Sequence, residues 1–306
     1  MTGFYKPEGL TTESRDPMSI QALESAMLTG KILEAKAILC DRDHNLSVSL
    51  GHMKGVIPKE EAALSTDSGQ VRDIAVITRV GKSVCFKVTG FSTDETGNTV
   101  ALLSRKAAQQ ECYQKYIKAL KPGDVIPARV THLEQFGCFV DIGCGIISLI
   151  TIDNISTSRI SHPRDRFYVG QSIRAVVKGF QPDGKISLTH KELLGTWEEN
   201  VQNFSAGQTA AGVIRSIESY GIFVELAPNL AGLAEWRENT QVGQTASVYI
   251  KNIIPEKMKV KLIIIDAFDA PPVCVTDSDY FITSGHLSYW RYTPPGCDKV
   301  IETQFE

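Results

Sequence analysis

The chain has 306 residues, 42% of them hydrophobic, enough to bury several small cores or one large one. Its longest apolar run, Val260 to Ile265, is interrupted by Lys261 and is too short to cross a bilayer, which argues against a membrane-spanning helix. The formal net charge of −3 argues against a nucleic-acid ligand for the chain taken as a whole.

Seven cysteines, an odd number without C-x-x-C spacing, argue against a disulfide framework and favour a reduced, cytoplasmic protein. Residues 1–29 are predicted to form a leader and a helix, and the leader lacks the basic start and apolar block of a signal peptide. Asp16-Pro17 fits a helix N-cap followed by Pro, and Met18 to Leu28 has helical spacing up to Gly30.

Two motifs then recur three times along the chain. The first reads HNLSVSLG from His44, FGCFVDIG from Phe136 and YGIFVELA from Tyr220. The second reads VGKSVCFKVTGF, VGQSIRAVVKGF and VGQTASVYIKNI, from Val80, Val169 and Val242 in turn. Repeats this far apart predict three similar domains and not the turns of a solenoid.

Each repeat holds five short strands in roughly 70 residues, with glycines where strands bend, and this favours a closed barrel over a seven-stranded sandwich. The predicted fold is mainly β with linking helices, made of three tandem five-stranded oligonucleotide-binding (OB) barrels. The predicted barrels span 30–106, 121–190 and 204–268, with linker helices at 107–120 and 191–203.

Residues 269–306 form an aromatic-rich tail that is expected to pack on a domain, because disordered tails are poor in aromatics. A partner-binding tail is the alternative. Cys274, His286 and Cys297 have a spacing too weak to predict a metal site.

Strand parity separates a core face from an outer face in each repeat, because successive side chains point to opposite sides. The expected core residues of the repeated strand are Leu46, Val48 and Leu50, then Cys138, Val140 and Ile142, then Ile222, Val224 and Leu226. Phe139 and Phe223 fall on the outer face, with Phe136 and Tyr220 at the strand entrance, while the first repeat has His44 and Ser47 there. Two repeats are thus equipped to stack a flat ligand, although a covering helix or domain would explain the same pattern.

These residues resemble the RNA-binding domain named after ribosomal protein S-one. The resemblance lies in the order of an apolar strand, aromatic-Gly-x-Phe-Val, a Gly-leading strand, Val-Gly-Gln, an Asp-Gly-Lys turn and Leu-Ser/Thr, and it covers about 30–266. It implies a short bacterial protein that binds single-stranded messenger RNA in translation or RNA metabolism, with the small ribosomal subunit as a further partner and no cofactor or metal.

The resemblance also implies residue roles. Phe136, Phe139, Tyr220 and Phe223 would stack bases. The family's His after the Gly-leading strand is replaced by Ser148, Glu235 and Pro58. The basic residue after the turn would be Lys185, with Lys257 or Lys259 in the third repeat.

Further positive charge in the repeats could contact phosphates or base edges. The candidates are Arg129, His132, Lys178, Lys185, Arg215, Lys251, Lys257 and Lys259. Net charge is +2 over 30–106, +2 over 121–190 and zero over 204–268, so the acid lies mostly in tails and linkers and the local field permits RNA.

The connector of the second repeat is 14 residues longer than that of the third. It is counted from Gly145 to Gly170 in the second repeat and from Gly232 to Gly243 in the third. Its surplus holds a basic loop of Arg159, His162, Arg164 and Arg166. This is either a phosphate clamp or a solvated loop paired with Asp153 and Asp165.

Three observations keep a second function open. Asp141 and Glu225 fall on the aromatic face by parity, where they either bond base edges or indicate a protein ligand. With the negative net charge and the missing His, they support a protein-interaction scaffold that no longer reads RNA. An RNA-processing enzyme ranks third, because the chain shows no nucleophile motif, two-metal carboxylate cluster or phosphate loop.

Overall fold

The computed structural model describes residues 5–9, 18–64, 71–94, 96–182, 184–271 and 274–305. Its contacts divide the chain into two compact units. The first is Met1–Leu120 with Asp141–Ile147, and the second is Lys121–Val140 with Ser148–Glu306. Three closed five-stranded barrels are present, which confirms the predicted fold class.

In the first barrel the strand order is β1-β2-β3-β5-β4, with β3 and β5 parallel. The strands are β1 Leu33–Cys40, β2 Leu46–Ser49, β3 Lys54–Ile57, β4 Ser83–Thr93 and β5 Thr99–Ser104. A short helix, α2 Asp73–Ile77, and a 3-10 turn, Lys59–Glu61, lie in its connector. Leu46, Val48 and Leu50 are buried in its core, as parity predicted.

The N-terminal helix, α1 Ile20–Thr29, begins later than the sequence suggested. Ser19 is its N-cap, because its side chain accepts a hydrogen bond from the backbone N–H of Ala22. Gly30 ends it in the left-handed conformation, with φ of 64°. Asp16 and Pro17, the expected start, lie outside the described residues.

Helix α3, Arg105–Lys115, follows β5 directly, with Ser104 as its N-cap, and a 3-10 turn at Ile117–Ala119 completes the segment. In the next linker a continuous helix was expected, and that expectation is wrong. A 3-10 turn at Lys191–Leu194 stops at Gly195, whose φ of 79° a helix does not tolerate, and α4 Trp197–Val201 starts afresh with a capping box at Thr196.

In the second barrel the strand order is β10-β8-β7-β6-β9. The strands are β6 Val125–Glu134, β7 Gly137–Asp141, β8 Ile147–Thr151, β9 Ser172–Phe180 and β10 Ile186–Thr189. Its connector carries 3-10 turns at Ile152–Asn154 and Pro163–Asp165. Cys138, Val140 and Ile142 are buried, as predicted.

In the third barrel the strand order is β11-β12-β13-β15-β14. The strands are β11 Thr209–Glu218, β12 Gly221–Ala227, β13 Leu230–Ala234, β14 Thr245–Ile254 and β15 Lys259–Phe268, with a 3-10 turn at Pro255–Lys257. Ile222 and Val224 are buried, but Leu226 is only half-buried. A register shift between Glu225 and Ala227 interrupts the alternation, so parity fails at the end of β12.

The C-terminal segment has a 3-10 turn at Asp277–Asp279 and a two-stranded sheet of β16 Tyr289–Arg291 and β17 Glu302–Gln304. Trp290 and Tyr292 join the hydrophobic core of the third barrel. Phe305 packs with Val176 and Leu193 beside the second barrel. Trp290, Tyr292 and Phe305 therefore pack the tail against the two barrels.

Candidate nucleic-acid interface

Two barrels carry an equivalent pair of aromatic side chains, one in the turn between their first and second strands and one on the second strand. Phe136 and Phe139 meet edge to face, with ring centroids 5.9 Å apart and planes at 90°. Tyr220 and Phe223 repeat this arrangement at 6.1 Å and 88°. Phe136 is 55% exposed and Tyr220 68% exposed, whereas both partners are half-buried. Each pair is therefore a supported platform whose outer ring faces solvent.

A glycine between the two rings makes this geometry possible. A Cβ at Gly137 would lie 2.5 Å from the carbonyl oxygen of Ile150, and one at Gly221 would lie 2.5 Å from that of Ala234. The neighbouring strand therefore approaches closer than any side chain would allow. The glycine of the aromatic-Gly-x-Phe motif is required by this close approach of the neighbouring strand.

His132 extends the platform of the second barrel. Its ring stacks on Phe139, with centroids 6.3 Å apart and planes at 28°, and its Nε2 lies 2.6 Å from Glu134 Oε1. Ser216 occupies the equivalent strand position in the third barrel, where it pairs with Phe223.

The first barrel has no such pair. Ser47 occupies the place of the inner aromatic, and it is buried, although the sequence suggested an ordinary surface position. It pairs with Leu39 and Val56 of the two neighbouring strands. This barrel offers no exposed ring at this position.

Strand register fixes which basic residues correspond. Leu149 pairs with Ser187 in the second barrel and Leu233 with Lys261 in the third, so Lys185 corresponds to Lys259 and not to Lys257. Five candidate cations have exposed side chains, namely Lys178, Lys185, Lys251, Lys257 and Lys259. Lys178 Nζ lies 3.2 Å from Asn154 Oδ1, and Lys251 Nζ lies 3.7 Å from Glu235 Oε1.

The same register corrects two alignments made from sequence. Ile150 of the second barrel corresponds to Ala234 of the third. The residue that aligns with Glu235 is therefore Thr151 and not Ser148. Counted from these positions to Gly170 and Gly243, the second connector is 11 residues longer than the third, not 14. The glycines used as anchors, Gly145 and Gly232, are not equivalent.

The basic loop is only partly exposed. Arg159 and Arg164 are exposed, whereas His162 Nδ1 accepts the backbone N–H of Arg164 and closes a capping box. Arg166 is 1% exposed, so its expected place in an exposed loop is wrong. Its guanidinium binds both carboxylate oxygens of Glu225, with Nη1 3.0 Å from Oε2.

Arg215 belongs to the same buried network and is a poor phosphate ligand. Its Nε donates to Glu225 Oε2, and its Nη1 lies 3.4 Å from Asp165 Oδ1. Burial is the main influence on the pKa of Arg166 and lowers it, while Glu225 opposes that shift. Arg129 is likewise engaged, since its Nε donates to the carbonyl of Gly170 at 3.1 Å.

The acidic residues assigned by parity to the aromatic face are in fact buried. Glu225 pairs with the two arginines above. Asp141 accepts backbone N–H groups from Glu8 at 2.7 Å, Gly143 at 2.8 Å and Gly145 at 3.0 Å. Neither carboxylate is therefore presented beside the aromatic rings, which removes that argument against RNA.

Sequence reasoning missed two exposed residues of the third barrel, Trp236 and Lys261. Lys261 was noted only as an interruption of an apolar run. The alternation of Lys259, Lys261 and buried Val260 and Leu262 was the available signal for its outward position.

In the described ranges no group of three or more His, Cys, Asp or Glu residues could hold a metal ion. No helix in the same part of the chain is long and apolar enough to cross a membrane.

The three closed five-stranded barrels define a protein of the oligonucleotide-binding (OB) fold class. Residues 119–191, which include the second barrel, match the model of the S1 RNA binding domain. The resemblance inferred from sequence is thus confirmed.

Similarity to particular proteins extends over most of the chain. It is 29% identical to the small ribosomal subunit protein bS1 of Staphylococcus aureus, over 88% of this chain and 70% of that relative. The small ribosomal subunit protein bS1 of Staphylococcus epidermidis is 27% identical over 88% of this chain and 69% of its own. A crystal structure of a multidomain protein with nucleic acid binding domains from Streptococcus pneumoniae aligns over 77% of this chain and 73% of its own, at 14% identity and a TM-score of 0.25.

Proposed function

We propose that this protein binds single-stranded RNA through its second and third barrels. The observation that carries the proposal is the repeated aromatic pair, in which one ring supports another that faces solvent. Unpaired bases stack on such rings regardless of sequence, and each stack contributes about 1–3 kcal/mol. Exposed lysines on the same two barrels supply the phosphate contacts.

The stacking residues are Phe136 and Phe139 in one barrel and Tyr220 and Phe223 in the other. Lys178 and Lys185 are exposed on the barrel that carries the first pair, and Lys251 and Lys259 are exposed on the barrel that carries the second. Lys257 lies in the turn before β15 and adds charge at the rim. The exposed Arg159 and Arg164 offer two further phosphate contacts.

The similarity to small ribosomal subunit proteins supports a place in translation. We propose a cytoplasmic monomer that holds messenger RNA at the small subunit, with no catalytic step and no cofactor. The first barrel, which lacks the aromatic pair, serves as a docking or spacing unit. A screen for nuclease activity with and without divalent metal tests the absence of catalysis.

The direct test is the double variant F139A/F223A in a binding assay with fluorescent, unstructured RNA. Affinity should fall at least tenfold, because two stacks are lost. Circular dichroism should be unchanged, since both rings are partly solvent-facing. Unchanged affinity would remove the aromatic pairs from the binding site.

A protein-interaction scaffold is the second candidate. It is favoured by the first barrel, where Ile38 and Leu39 expose about half of their side-chain surface on β1. If RNA fails to bind at low salt, a search for a protein ligand of this barrel becomes the next step.

A further inference from the structure

The third barrel carries two exposed side chains beside its aromatic pair that the second barrel lacks. Trp236 follows β13 by two residues, and Lys261 lies on β15. Their places in the barrel follow from strand register, and their counterparts in the second barrel are Ile152 and Ser187.

Lys261 lies in the same cross-strand row as the inner aromatic ring. Phe223 pairs with Leu233, and Leu233 pairs with Lys261. Adjacent strands are about 4.8 Å apart, so the Lys261 backbone lies about 10 Å from that of Phe223. The long lysine side chain can therefore reach the phosphate next to a base that is stacked on Phe223.

Trp236 lies at the same end of the barrel as the outer ring. In the second barrel the backbone N–H of Ile152 donates to the carbonyl of Phe136 at 2.9 Å, which places Ile152 beside that ring. In the third barrel Phe223 pairs with Leu233 and Ile222 with Ala234, and the same register carried two residues further sets Trp236 opposite Tyr220. It is 59% exposed, a large fraction for an indole.

The second barrel fills these positions differently. Ser187 is short, and its Oγ donates to the carbonyl of Gly179 at 3.2 Å. Ile152 opens the 3-10 turn that begins the longer connector. Neither residue offers an aromatic ring or a positive charge, so the additional surface is particular to the third barrel.

We propose that the third barrel is the principal RNA-binding barrel, in which Trp236 stacks a further base beside Tyr220 and Lys261 contacts a phosphate. This inference rests on the proposed function and specifies how single-stranded RNA is shared between the barrels. Two of its contacts are chemically distinct, a stack and an ion pair, and can be tested separately.

Tryptophan emission of the full chain gives a direct readout of the stack. The protein has three tryptophans, and Trp197 and Trp290 are only 2% and 5% exposed, so RNA can reach Trp236 alone among them. Titration with unlabelled, unstructured RNA should quench the exposed component of the emission. The quenching should disappear in W236I, which installs the residue of the second barrel.

The lysine is tested by salt dependence with the same RNA carrying a fluorophore. K261S should reduce the slope of log affinity against log salt by about 0.7, the value for one single-strand phosphate contact. W236I should weaken binding about fivefold or more. K299S, at an exposed position in the tail, is the matched control and should change neither quantity.

Reciprocal exchanges complete the experiment. I152W and S187K should strengthen binding by a chain whose third barrel carries F223A. If RNA binds by anisotropy while tryptophan emission stays constant and K261S keeps the slope of the parent, the inference is overturned and the proposed function stands. If the parent chain binds no RNA, or F139A/F223A binds as well as the parent, the proposed function itself fails.

Discussion

At the scale of single residues, the glycine between the two rings determines whether a platform can form. Gly137 and Gly221 each face the carbonyl of a neighbouring strand, and a Cβ at either position would lie 2.5 Å from it. Because these glycines have no side chain, the neighbouring strand can approach the segment that carries the two aromatic residues.

G137A and G221A should each destabilise their barrel by about 1–3 kcal/mol, the usual cost of forcing atoms into a packed site. They should also weaken RNA binding, because the rings on either side must move. G90A is the control, since a Cβ at Gly90 meets nothing within 4 Å. Chemical denaturation followed by circular dichroism measures the three variants. Equal stability of G137A and G90A would contradict the account.

Glu225 is the second residue whose role depends on its neighbours. It forms ion pairs with Arg166 and Arg215 where all three side chains are mostly withdrawn from water. Removal of one partner from a buried ion pair usually costs about 3–5 kcal/mol, because the remaining charge is left uncompensated.

E225Q should therefore lower the unfolding midpoint of the second unit, while R164A, at an exposed arginine, should change stability by no more than about 0.5 kcal/mol. Denaturation followed by the emission of the buried Trp197 and Trp290 reports on this unit. A midpoint of E225Q equal to that of R164A would show that the network contributes little. The salt dependence of RNA binding should respond to R164A and not to E225Q.

At the scale of elements, the C-terminal segment is held against the second barrel by a buried histidine. His190 Nδ1 lies 3.1 Å from the carbonyl of Ile155, and its Nε2 lies 3.0 Å from the hydroxyl of Tyr280. A neutral ring satisfies both, with Nδ1–H as the donor and Nε2 as the acceptor. Burial lowers the pKa of His190 to about 4.

This shift predicts a pH dependence of folding. The unfolded chain protonates His190 below about pH 6.5, while the folded state resists protonation until about pH 4. The contribution is therefore fully present above pH 6.5 and is lost as pH falls toward 4, and it amounts to about 3 kcal/mol. Urea midpoints at pH 7 and pH 4.5 measure it.

The control is H190Q, because carboxylates also titrate in this range. The difference in midpoint between the parent and H190Q should shrink on acidification. A difference that is constant between the two pH values would show that His190 does not resist protonation in the folded protein.

Sequence reasoning succeeded where a pattern is local and periodic. Period-two alternation identified the core faces of the repeated strand, and the recurring Gly and aromatic spacing located both platforms. It failed where a single residue breaks the period, as at the register shift after Glu225, or where a distant segment supplies the partner, as for Arg166. Trp236 lay just beyond a predicted strand, where alternation no longer assigns a face.

At the scale of the whole molecule, the second and third barrels belong to one compact unit and carry one platform each. When a ligand is bound at one platform, the second platform is at a high effective concentration. The overall affinity of a ligand that spans both can therefore exceed the affinity of either barrel by about 10²–10⁴. A ligand that reaches only one gains nothing from the second.

RNA of about 20 nucleotides should therefore bind far more tightly than RNA of about 6 nucleotides. F139A should reduce this ratio by weakening one of the two sites, with little effect on the short RNA held by the third barrel. Competition titrations with the two lengths measure the ratio. Equal affinity for both lengths would mean that the barrels bind independently.

The measurement that tests the central claim most directly is the binding of fluorescent, unstructured RNA of about 20 nucleotides at two salt concentrations. The account predicts micromolar or tighter binding that weakens with salt, with a log–log slope of about 0.7 for each phosphate contact. Loss of that binding in F139A/F223A would locate it on the aromatic pairs. Absence of binding at low salt would contradict the account and leave the protein-interaction scaffold as the leading function.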